Sequence, residues 1–140
     1  MLWILLACTG TKDGDDSADS GAPVAAADAP VITDPSAECF LHTTGEEYWQ
    51  WELSAAVTDP DGAETIARTG TVGATSSGDE ALAEITIVRQ GEALFGSFKE
   101  QDYDILCGDA TTVRFAFTIA DADGNLSQPV STLGVKRADQ

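Results

Sequence analysis

The side chains of this chain that could do chemistry are of three kinds. There are three cysteines (Cys8, Cys39 and Cys107), one histidine (His42), and 24 Asp and Glu against 7 Lys and Arg, for a formal net charge of −17. A Ser-His-Asp triad would have to use His42, and no G-x-S-x-G elbow stands elsewhere in the sequence to bring it a nucleophile. Two cysteines without a neighbouring histidine fall short of the four N or S ligands a structural zinc site takes. A glycosidase needs only two carboxylates, which so acidic a chain supplies by accident, and no aromatic groove can be located around any pair. No glycine-rich loop opens a helix, so phosphate cradling has no basis. Scarce Lys and Arg argue against nucleic acid and against an anionic lipid surface, because both need clustered cations. The acid itself reads as a solubilising surface. The expectation is a non-catalytic protein rather than an enzyme.

Two acidic corners remain, Thr58-Asp59-Pro60-Asp61-Gly62 and Ala120-Asp121-Ala122-Asp123-Gly124-Asn125. Each ends a run with the period-two alternation of a half-buried strand. In YWQWELSAAVT, Trp49, Trp51, Leu53, Ala55 and Val57 share one face, and Gln50, Glu52, Ser54 and Thr58 the other. In TTVRFAFTIAD, Val113, Phe115, Phe117 and Ile119 alternate with Thr112, Arg114, Ala116 and Thr118. Further strands are expected in PVIT, TIARTGTVGAT, EITIVRQ, ALFGSF and SQPVSTLGV, with a hairpin turn at Gln90-Gly91-Glu92. SGDEALAE carries an S-x-x-E pattern at Ser77 and Glu80 that could begin a helical turn. His42 falls in a polar connector after Cys39.

Seven or so short strands fit an all-β fold, a two-sheet antiparallel sandwich over residues 30–138. The strand ends SAAVTDPDG (54–62) and FTIADADGN (117–125) resemble those of the immunoglobulin-like and cadherin-like modules of bacterial surface proteins, which often finish a strand in a D-x-D-G turn. If each connection is a reversal, both corners emerge side by side and Asp59, Asp61, Asp121 and Asp123 share one rim. Calcium prefers oxygen ligands, about six to eight of them, on short loops. Neither corner is an EF-hand, since Gly124 stands fourth rather than sixth. The same residues equally serve their own turns, with Asp accepting backbone hydrogen bonds and Gly supplying positive φ. No cofactor is required, and calcium is the ion these corners could take.

The chain begins MLWILLAC, with an apolar run far below the ~20 residues of a membrane span. Leu5-Leu6-Ala7-Cys8 resembles the lipobox of bacterial lipoproteins, in which a small residue precedes the acylated cysteine. The tract TGTKDGDDSADSGAPVAAADAP resembles the tether such proteins place between lipid and domain. The resemblance implies a signal segment at 1–8, lipidation at Cys8, and a disordered acidic Asp/Gly/Ser/Ala-rich linker over 9–29. Thr9 in place of Asp after the cysteine implies the outer membrane. With Cys8 acylated, Cys39 and Cys107 are left as a pair, which an oxidising exterior preserves. Bonded, they close a loop of about 69 residues. The expected function is a lipid-anchored binding, adhesion or structural module of the cell envelope with a protein or glycan ligand. The alternative is a small periplasmic accessory or inhibitor protein that partners an envelope enzyme.

Overall fold

The computed structural model describes residues 28–137. They form β1 (Val31–His42), β2 (Tyr48–Thr58), β3 (Thr69–Thr75), β4 (Ala81–Gln90), β5 (Ala93–Lys99), a short helix α1 (Glu100–Tyr103), β6 (Arg114–Thr118), β7 (Val130–Leu133) and β8 (Val135–Lys136). The fold is all-β. The strands make one eight-stranded sheet in the order β7-β6-β3-β4-β5-β2-β1-β8, nearly closed into a barrel.

Hydrogen bonding thus joins eight strands into one sheet where two sheets of about seven strands were expected. The joint is β4, which pairs with β3 from Ala81 to Val88 and with β5 only over Val88–Gln90, next to the hairpin turn. That turn lies where the sequence put it, with Gly91 at φ 62°, a conformation glycine adopts without steric cost. At the other extreme, β7 and β8 stand at opposite ends of the strand order although only Gly134 separates them. β7 runs antiparallel to β6 and β8 parallel to β1, so the last strand spans the seam of the barrel. Gly134 is required by close approach: a Cβ there would lie 2.6 Å from the Ala110 carbonyl oxygen and 2.8 Å from the Trp51 ring.

The alternation read in the sequence becomes the core. Trp51, Leu53, Val57, Phe115 and Phe117 are fully buried, with Ala55, Val113 and Ile119 beside them, and Trp49 packs against this cluster from its margin. The segment 104–113 between α1 and β6 adds Ile105, Cys107 and Ala110 to the core.

Three local expectations change. β1 is one strand of twelve residues rather than a short PVIT followed by a connector, because Asp34 at φ 54° and Pro35 form a bulge that the strand survives. Such a bulge also breaks the regular row of donors and acceptors that invites edge-to-edge pairing. Cys39 and His42 therefore sit on a strand. Residues 76–80 make the β3–β4 turn instead of a helical one: the Ser76 hydroxyl accepts from the backbone N–H of Gly78 and Glu80, and Asp79 adopts φ 65°.

Strand directions fix two ends. β1, β3, β5, β7 and β8 run one way and β2, β4 and β6 the other. The chain enters at Pro30 at the end that holds the loops 59–68, 91–92 and 119–129, here the proximal end. The distal end holds the loops 43–47, 76–80 and 100–113.

Candidate functional site

The proximal end carries the two acidic corners. The loops lie together: Ala67 N–H donates to the Ala120 carbonyl at 2.9 Å, Ala122 N–H to the Thr65 carbonyl at 2.7 Å, and Ile66 bridges Asp121. The first carboxylate of each corner serves its turn. Asp59 Oδ1 accepts from Asp61 N–H at 2.8 Å. Asp121 Oδ1 accepts from the N–H of Asp123 and of Asn125, and its Oδ2 from Asn125 Nδ2 at 3.0 Å. Hydrogen bonding from Asn125 holds the Asp121 carboxyl below the usual carboxylate range, against the opposing effect of burial. Among the described residues no group of three or more His, Cys, Asp or Glu side chains is arranged to hold a metal ion. Asp59, Asp61, Asp121 and Asp123 thus share an end of the barrel, with Asp59 and Asp121 engaged in their own turns.

Cys39 and Cys107 form a disulfide with Cα atoms 5.7 Å apart, both cysteines buried. It ties β1 to the segment 104–113, and two further bonds hold that segment: Trp51 Nε1 to the Ile105 carbonyl, and Cys107 N–H to Glu100 Oε2, each 2.9 Å. Cys8 lies outside the described residues.

Sequence reasoning missed a cluster at the distal end. The tight Thr43–Glu47 connection puts His42 opposite Tyr48, Phe40 opposite Gln50 and Glu38 opposite Glu52, so these side chains share the outward face of the β1–β2 pair. His42 and Tyr48 stack, centroids 4.6 Å apart and planes at 11°. Lys99, from the end of β5, places Nζ 4.3 Å from the Tyr48 ring, and Lys136, on β8, places Nζ 4.7 Å from the Trp49 ring. Arg137 lies 4.2 Å over the Phe40 ring while its Nη2 donates to Glu38 and lies 3.7 Å from Glu52. Lys99 and Arg137 therefore cover rings on the outward face, while Lys136 covers Trp49, whose side chain shares the opposite face with Trp51. Such contacts contribute roughly 0.5–1 kcal/mol each at exposed sites and order both partners. The signal was present in the sequence: Phe40 and His42 are in phase with Tyr48 and Gln50 once Thr43–Glu47 is read as a hairpin turn, with Gly45 at φ 78°.

The arrangement sets half-buried rings beside cationic side chains, and Phe, Tyr, Trp and Arg are residue types enriched where proteins meet partners. The chain matches no protein-family model, no curated protein and no solved structure.

Proposed function

We propose that the chain is a lipid-anchored cell-envelope protein whose domain is a non-catalytic binding module of the immunoglobulin-like kind, offering its distal end to a protein or glycan partner. The observation that carries this reading is an asymmetry. Of the six aromatic side chains that keep exposed surface among the described residues, Phe40, His42, Tyr48, Trp49 and Tyr103 belong to the distal half and Phe95 is the exception, while the chain enters at Pro30 on the proximal end. A tether from a lipid on Cys8 would thus leave the aromatic surface pointing away from the bilayer.

The anchor rests on Leu5-Leu6-Ala7-Cys8 and the acidic Asp/Gly/Ser/Ala-rich tract behind it, and the outer membrane on Thr9. The immunoglobulin-like assignment is supported by the strand order. β1, β2 and β5 fall on one side of β4, β3, β6 and β7 on the other, and the final strand runs parallel to the first.

The anchor is tested by detergent partitioning of the full chain. The parent enters the detergent phase and Cys8→Ser remains aqueous, whereas equal partitioning would refute lipidation. The binding reading is tested by capture from envelope fractions. A glycan or a foreign surface component identifies an adhesion module, and an envelope enzyme identifies the accessory or inhibitor alternative.

A further inference from the structure

The two D-x-D-G turns at the proximal end are near twins. In each, the first Asp accepts the N–H of the residue two further on through Oδ1, at 2.8 Å for Asp59 and 2.9 Å for Asp121. In each, the glycine N–H donates to that Asp's own carbonyl oxygen, Gly62 to Asp59 at 2.9 Å and Gly124 to Asp121 at 3.0 Å. They differ in two respects. Asp121 Oδ2 is occupied by Asn125, whereas Asp59 Oδ2 is buried with no hydrogen-bond partner. The residue that follows is Ala122 in one turn and Pro60 in the other.

We propose that the Asp59-Pro60 bond is a self-cleaving peptide bond. Three features meet there. The free Oδ2 is a nucleophile that closes a five-membered ring on its own main-chain carbonyl carbon. The Gly62 N–H already points at the carbonyl oxygen and stabilises the negative charge that develops on it, the part played by an oxyanion-hole donor. The prolyl nitrogen, a tertiary amide without an N–H, is the leaving group, and Pro60 is exposed so that water and protons reach it. Oδ2 forms a bond to the carbonyl carbon. The C–N bond breaks with its electron pair passing to the Pro60 nitrogen, which takes a proton from solvent. The resulting cyclic anhydride of Asp59 is hydrolysed by one water to a C-terminal aspartic acid. The products are residues 1–59 and 60–140, with the mass of one water added.

The chain holds its own comparator. Asp34-Pro35 is the other Asp-Pro bond, in the β1 bulge, and Asp34 is exposed with φ 54°. Its carboxylate is not buried in a turn whose glycine N–H polarises the scissile carbonyl. The Cys39–Cys107 bridge keeps the two products of Asp59-Pro60 cleavage together, so before reduction the nick shows only as the added water and the fragments separate only after reduction.

The test is incubation of the folded, oxidised protein in mildly acidic buffer, followed by intact mass and reducing and non-reducing gels. Cleavage at 59–60 is expected to run about a hundredfold faster than at 34–35, the lower end of the effect of a single oxyanion donor. The two rates are expected to converge in denaturant, and Pro60→Ala, which changes only the leaving group in an exposed turn, to abolish the 59–60 product. Equal rates at the two bonds in the folded protein, cleavage at 59–60 that speeds up on unfolding, or no cleavage at all would each overturn the proposal.

Discussion

Trp51 donates its indole N–H to the main-chain carbonyl of Ile105, 54 residues further along, across 2.9 Å of fully buried core. The bond links the middle of β2 to the segment that covers the distal end. Phe98 and Phe115 hold the same indole at centroid distances of 6.1 and 5.0 Å. Trp51→Phe keeps an aromatic ring but leaves a buried carbonyl without its donor. A loss of roughly 1–3 kcal/mol is expected from denaturant unfolding, and an unchanged midpoint would show that the bond contributes nothing.

The disulfide fastens that same segment to β1. Reduction removes a restraint on a loop of 68 residues' separation, which chain entropy values at about 4 kcal/mol. That is close to the whole stability of a small domain. Labelling of the denatured, unreduced protein should find neither Cys39 nor Cys107 free. A melting temperature unmoved by reduction would contradict this account.

Asp121 gives the domain a dependence on acid. Its carboxyl is held below the ordinary range by Asn125, so the stability it contributes is present above about pH 4, the unfolded value, and is lost as pH falls through the lowered folded value. Asp121→Asn should therefore be less stable than the parent at neutral pH, with the gap closing on acidification. Unfolding curves between neutral pH and about pH 2 measure it, and a gap constant across that range would show that the charge plays no part.

The core was legible because its signal is local. Alternation over 48–58 and 112–119 assigns Trp51, Leu53, Val57, Phe115 and Phe117 to the interior whether the strands close into one sheet or pack as two. The number of sheets was not legible, since it turns on β4 pairing on both its edges and on Gly134 carrying the chain from β7 to β8. Both depend on register between distant residues. β1 was undercounted because Asp34-Pro35 reads as a break when taken alone. The distal cluster was hidden for a related reason: with Thr43–Glu47 read as loop, nothing set His42 opposite Tyr48. The meeting of the two acidic corners followed from counting reversals, but where each carboxylate points did not, because Asn125 and the turn N–H groups claim them over a few ångströms.

The claim that the distal surface is where this protein binds is tested most directly by envelope binding of three purified forms: the parent, Phe40→Ala with Tyr48→Ala, and Phe95→Ala. Phe95 is 45% exposed on β5 and stands apart from the cluster, so its loss serves as the control for removing an accessible ring. The account predicts that the parent and Phe95→Ala bind alike and that the double variant, folded as judged by its melting curve, binds at least about tenfold more weakly. Equal binding by all three forms, or a loss as large for Phe95→Ala, would contradict it.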